Sequence, residues 1–162
     1  MLPLDPPASH ETAPLPFFAM AGMSSEPPPS ADNRRGEPVS LTGRTILVVE
    51  DESLVALLIQ DAIESAGGAL IGPCYTFAEA MAAVRTETFD AAVLDVDLSG
   101  EDVFPAADEL KRRGIPFLFH TAHADRNEIE ARFGDVPLCR KPLRMEDLLS
   151  VLTRIAGAGR AN

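Results

Sequence analysis

From Thr45 onward the sequence switches five times between a short apolar run and a longer stretch with helical spacing. The runs are Thr45-Ile46-Leu47-Val48-Val49, Ala69 to Cys74, Ala91-Ala92-Val93-Leu94, Phe117-Leu118-Phe119 and Val136 to Cys139. An apolar run that short and that unbroken suits a strand covered on both faces, because neither face then meets water. Between the runs, Ser53 to Ala66 gathers Val55, Leu58, Ile59, Ala62 and Ile63 on one stripe, and Met145 to Ala156 does the same with Leu148, Leu149, Leu152 and Ile155. The punctuation agrees. Gly67-Gly68 stops the first helix, and Thr76-Phe77-Ala78-Glu79 is a capping box for a second helix running to Arg85. Pro105 belongs in the first turn of a third helix, Asp102 to Arg113, which Gly114 ends. Asp125-Arg126-Asn127-Glu128 opens a fourth, and Gly72-Pro73 is expected to bend or shorten the second strand. Five strands alternating with five helices predict an α/β fold, a doubly wound parallel sheet with helices on both faces. Right-handed crossovers leave only a few strand orders.

The rest of the chain of 162 residues is of a different kind. Residues 1–43 hold most of its 14 prolines and cannot bury enough apolar surface to offset their ordering entropy, so they are expected to be disordered. The folded domain is expected over 44–156, with a short tail at 157–162 that leaves no room for a DNA-binding output domain. The patch Leu15-Pro16-Phe17-Phe18-Ala19-Met20 has no basic run before it and follows Asp5 and Glu11, unlike an export signal, and Met20 or Met23 is a possible start of translation. A cytoplasmic protein is expected. No stretch approaches the ~20 apolar residues of a membrane span. The net charge of -11, from 25 acids against 14 bases, argues against nucleic acid, whose phosphates need clustered Lys and Arg. Cys74 and Cys139 are too few for a disulfide framework or a zinc site and read as buried thiols.

In open parallel sheets, ligands bind beyond the carboxyl ends of the strands. Here Glu50-Asp51 close the first strand, Asp95 the third, Thr121 the fourth and Lys141 the fifth. One acid at a strand end is explained by capping the next helix. Four strands delivering reactive polar groups to one rim are not. Three crowded carboxylates repel and call for a cation, and oxygen ligands with open positions suit Mg²⁺, which keeps several waters and also touches phosphate. A lysine at the rim can pair with a carboxylate and with a phosphoryl oxygen, and a threonine hydroxyl can donate to a second. Such a site would hold a metal, a carboxylate nucleophile and a transferred phosphoryl group, and act by positioning and charge neutralisation.

The ordered set (acidic pair, strand-end Asp, strand-end Thr followed by Ala, Lys-Pro) resembles the receiver domain of two-component response regulators over about residues 44–156. The resemblance implies a flavodoxin-like sheet of order 2-1-3-4-5 with Asp95 as phosphoacceptor. It implies Glu50 and Asp51 as the metal pair, Asp51 the more direct ligand, with Asp97 lending its backbone carbonyl to Mg²⁺. Thr121 would be the switch hydroxyl, Lys141 the phosphoryl-sensing ammonium and Pro142 a cis-proline. It further implies a non-enzymatic single-domain response regulator, phosphorylated by a histidine kinase or phosphotransfer protein, which signals to a downstream protein or serves as a phosphate sink. More narrowly, Pro116 to His123 resembles the Pro-Phe-x-Phe-Ala-Thr-Gly-Tyr signature of the FAT GUY receivers, and Gly100 to Asp108 resembles their entry into the third helix. Leu138 is aliphatic, as that group lacks the aromatic switch residue. The sequence departs at His120, Ala122 and His123, and Ala122 in place of glycine narrows the loop's backbone freedom.

Other readings carry less. His120 and His123 have no third ligand for zinc and are expected to be structural, with titration near neutral pH a minor hypothesis. Lys111-Arg112-Arg113 suits the dipole of a helix end. Leu94-Asp95-Val96-Asp97-Leu98-Ser99 resembles the Asp-x-Asp motif of haloacid-dehalogenase-type phosphatases, but there that strand comes first and a second acidic pair comes late. No G-x-G-x-x-G or Walker lysine follows the first strand. A non-phosphorylated docking module is the remaining alternative, and the intact Asp95, Thr121 and Lys141 speak against it.

Overall fold

A computed structural model of the chain describes residues 39–122 and 126–158. The expectations for the proline-rich residues 1–38, for His123 and Asp125, and for the end of the tail lie outside the described residues.

The elements follow in the order β1 (Thr45–Val49), α1 (Ser53–Ser65), β2 (Ala69–Cys74), α2 (Phe77–Thr86), β3 (Ala91–Leu94), β4 (Asp97–Leu98), β5 (Glu101–Asp102), α3 (Phe104–Arg113), β6 (Phe117–Thr121), α4 (Arg126–Phe133), β7 (Leu138–Arg140) and α5 (Met145–Ala158). Five strands make one parallel sheet of order β2-β1-β3-β6-β7. With the small β4–β5 hairpin left out, that is the expected 2-1-3-4-5. Successive side chains of a strand point to opposite faces, and each face of this sheet has its own core. Leu47, Val49, Ala92, Leu94, Phe117 and Phe119 pack with Val84 of α2, Leu110 of α3 and Phe133 of α4. Ile46, Val48, Ala91, Val93 and Leu118 pack with Ile59 and Ile63 of α1 and Leu148 and Leu152 of α5. In the central strands β1, β3 and β6, two-sided burial is the physical reason the sequence shows no polar alternation. The chain reverses its winding between β1 and β3, and a crevice opens there at their carboxyl ends.

Several boundaries differ from the sequence reading. Leu41 is buried and its N–H donates to Ala66 O at 2.8 Å, so the described packing begins before Arg44. Asp102 is not in α3: it pairs with Asp97 in the hairpin, and its carboxylate accepts the N–H of Phe104 at 2.8 Å. Pro105 does sit at the start of α3. β6 runs on to Thr121 and β7 lies at Leu138–Arg140 rather than from Val136, because the ladder pairs His120 with Cys139 and Thr121 with Arg140. β2 keeps its full length past Gly72-Pro73, with a register irregularity against β1. Gly72 has φ +92, and a Cβ there would lie 2.7 Å from Val48 O, so backbone approach demands glycine. Both X-Pro bonds Gly72-Pro73 and Lys141-Pro142 are cis, the second as the resemblance implies. The two cysteines are free and buried.

Candidate functional site

Backbone ladders continue past the strand ends and fix the site. The N–H of Glu50 donates to Cys74 O at 3.0 Å, and that of Asp95 donates to Val49 O at 2.9 Å. These bonds hold the two acids side by side at the mouth of the crevice, Glu50 at 1% and Asp95 at 7% exposure. The N–H of Lys141 donates to Thr121 O at 3.0 Å, which ties the loop after β7 to the end of β6. From there Lys141 reaches across the sheet. Its Nζ donates to Glu50 Oε1 at 2.7 Å and to Asp95 Oδ2 at 2.6 Å.

The hairpin closes the other side. Ser99, at φ +55, donates its hydroxyl to Asp51 Oδ2 at 2.6 Å. Asp97 spends a carboxylate oxygen on the turn, where Gly100 N–H donates to Oδ1 at 2.6 Å. The Asp97 N–H makes a long contact of 3.4 Å to Asp95 Oδ1. Together Asp51, Glu52, Asp95, Asp97, Ser99, Thr121, Ala122 and Lys141 line a cleft of about 250 Å³, with Glu50 beneath. All six residues singled out in the sequence therefore meet at one rim. Ser99 and the hairpin were not anticipated. The Ser99-Gly100 pair is a turn signal in the sequence, but strands of two residues have no periodicity to detect.

Carboxylate oxygens of Glu50, Asp51 and Asp95 all lie within 4.8 Å of one another. One ammonium faces three carboxylates, so the cluster carries an excess of negative charge. Burial pushes the Glu50 carboxyl up, but the neighbouring His120 ring, the hydrogen bond from Lys141 and the charge of its ammonium outweigh it and hold Glu50 below its ordinary value. Burial would lower Lys141, and its bonds to Asp95 and Glu50 more than offset this, so its ammonium is held above the usual lysine range. Oxygen donors at this spacing with residual negative charge fit a hard divalent cation. Beside the cleft lies an apolar groove of about 370 Å³ that includes Val55 and Leu58 of α1, His120, Pro142, Leu143 and Met145. Leu54 and Leu57 extend this apolar face over exposed α1.

Residues 46–153 match the family model described as the response regulator receiver domain. The sensor histidine kinase GacS of Pseudomonas protegens is 29% identical over 144 residues, which cover 83% of this chain and 16% of the kinase. The chain thus spans only about a sixth of that relative's length. The response regulator PhyR from Brucella abortus superposes with a TM-score of 0.68 at 26% identity, covering 78% of this chain and 53% of PhyR. A CheY-like receiver domain protein from Methanospirillum hungatei JF-1 superposes at 0.65 with 21% identity, over 72% of this chain and 95% of its own.

Proposed function

This chain belongs to the response regulator receiver family, and on that premise we propose that Asp95 accepts a phosphoryl group from a phosphohistidine donor in a Mg²⁺-dependent reaction. The observation that carries the reading is the ammonium of Lys141 bridging Asp95 and Glu50, two of three converging carboxylates. Asp95 Oδ2 is engaged by Lys141, whereas among the described residues Oδ1 receives only the 3.4 Å contact, which leaves Oδ1 as the attacking oxygen. It forms a bond to phosphorus as the donor's P–N bond breaks. The product is an acyl phosphate, and the leaving imidazole keeps the electron pair.

Asp51, Asp95 and the backbone carbonyl of Asp97 would hold Mg²⁺, with Glu50 beneath them. The ion would neutralise charge on the transferring phosphoryl oxygens. Lys141 follows the added charge from Asp95 to a phosphoryl oxygen, and the Thr121 hydroxyl donates to another. Since Thr121 O and Lys141 N–H are bonded, these moves pull β6 and the loop after β7 together. The donor is a histidine kinase or phosphotransfer protein that docks an apolar helix face on the exposed Leu54, Leu57 and Leu58 of α1, the last of which lines the groove beside the cleft. Output runs through contact with another protein, or the domain drains phosphoryl groups from its donor. Among the described residues no helix is long and apolar enough to cross a membrane.

The test is intact-mass analysis after acetyl phosphate treatment, with and without Mg²⁺. One added phosphoryl group is expected, dependent on Mg²⁺ and absent in Asp95→Asn. A folded wild type that takes no adduct makes the chain a docking module instead. Steady release of phosphate from an unrelated monoester indicates a phosphatase.

A further inference from the structure

Only four buried side-chain polar atoms lack a hydrogen-bond partner among the described residues, and three of them cluster here: Glu50 Oε2 and both ring nitrogens of His120. Glu50 Oε2 and His120 Nδ1 are 3.8 Å apart, with the two side chains only 1% and 2% exposed. That separation is too long for a hydrogen bond, and a small side-chain adjustment closes it. An unpaired oxygen on a buried carboxylate is costly, so the closure has a driving force.

In the unmodified protein Glu50 is compensated through its other oxygen, by Lys141 at 2.7 Å. If the ammonium follows a phosphoryl group on Asp95, that contact is lost. Among the described residues Glu50 then keeps only the Glu52 N–H at 3.4 Å. Removing one partner from a buried pair leaves an uncompensated charge, which opposes the very movement phosphorylation requires. We propose that His120 is the positioning residue that replaces Lys141 at Glu50: it donates Nδ1–H to Oε2 and holds the carboxylate in place while the ammonium engages the phosphoryl group. The ladder pairing of His120 with Cys139 fixes the backbone from which the ring reaches. The inference rests on the phosphorylation reading above and assigns His120 a part in it.

The experiment compares wild type, His120→Leu, His120→Asn and His120→Gln as full chains. It measures their affinities for Mg²⁺ alone and, with Mg²⁺ present, for beryllofluoride as a phosphoryl mimic. Asparagine places an amide N–H where Nδ1 stands, whereas glutamine places it nearer Nε2. His120→Leu and His120→Gln should bind beryllofluoride about tenfold or more weakly, the scale of a lost bond to a charged group, and lose far less Mg²⁺ affinity. His120→Asn should stay within about threefold of wild type. Ring ¹⁵N spectra of wild type with beryllofluoride should place the His120 proton on Nδ1. Beryllofluoride affinity unchanged in His120→Gln, or a ring proton on Nε2, overturns the proposal. If His120→Leu fails to fold, the asparagine and glutamine pair decides. A wild type that accepts no phosphoryl group from acetyl phosphate overturns the underlying reading and this inference with it; a wild type that does, beside an unaffected glutamine variant, overturns the inference alone.

Discussion

Replacing Lys141 with methionine separates the two things the ammonium does in the resting site. Methionine keeps most of the apolar stem, so the loss is chiefly electrostatic. Two charge-assisted hydrogen bonds disappear, at 2.6 and 2.7 Å, each worth about 1.5–3 kcal/mol. Against that, an ammonium whose side chain is only 15% exposed no longer has to be desolvated. The stranded carboxylates dominate the balance, because breaking a buried pair from one side costs about 3 kcal/mol or more. For a domain of this size that is a fall in Tm of roughly 10 °C. The same substitution leaves three carboxylates with no cation, so a divalent ion gains attraction as the protein loses stability. Thermal unfolding with and without Mg²⁺ should show the variant well below wild type without the ion, and a larger upward shift on its addition. Acetyl phosphate should still label Asp95, while the conformational response followed by amide chemical shifts is blunted. A variant as stable as wild type without Mg²⁺, or one that Mg²⁺ stabilises no more than wild type, refutes the reasoning.

The acid limb of stability should carry Glu50. A carboxyl held low in the folded state contributes stability above its unfolded value of about 4.3, lost as pH falls through the folded value; Glu50→Gln should flatten urea midpoints measured through that window. Ser99→Ala removes the hydroxyl that orients Asp51 and should weaken Mg²⁺ binding about threefold by calorimetry, a loss of the order of one exposed hydrogen bond. Gly72→Ala drives a Cβ against Val48 O at positive φ and should cost about 2–3 kcal/mol in chemical denaturation. Leu57→Glu should leave labelling by acetyl phosphate intact and slow transfer from a phosphorylated kinase, because Leu57 is exposed on α1 outside the cleft. Cys74, pushed up to about 11 by burial and by Glu79, should resist iodoacetamide at pH 8 until the protein unfolds.

Much of this was legible because the chain obeys a two-sided burial rule. Ile46 and Leu47 are neighbours in sequence yet belong to different cores, so β1 cannot afford a polar residue until it leaves the sheet at Glu50. The end of an apolar run is therefore also the address of a functional side chain. That is why Glu50, Asp51, Asp95, Thr121 and Lys141 could be placed at one rim from sequence. The hairpin was not legible, since Asp97-Leu98 and Glu101-Asp102 are strands only through each other. Nor was the proximity of His120, on β6, to Glu50, which follows β1, two residues 70 positions apart with β3 between those strands in the sheet. Sequence spacing is silent on which of two faces a rim residue turns to.

The shared ladder also decides which changes the site can absorb. Glu50, Asp95 and Lys141 are all held by backbone N–H groups bonded to neighbouring strands. A side-chain replacement at any of them alters charge while the frame beneath stays put. A change in frame is different. β1 carries its irregularity against β2 between Leu47 and Val49, one residue ahead of Glu50, and Gly72 lies against Val48 O there. Straightening that irregularity would move Glu50 relative to Asp95 without touching either residue. Lys141, bonded to both, would then have to release one of them. A clash built at Gly72, remote from the chemistry in sequence, would therefore reach the same ammonium that the proposed phosphorylation displaces.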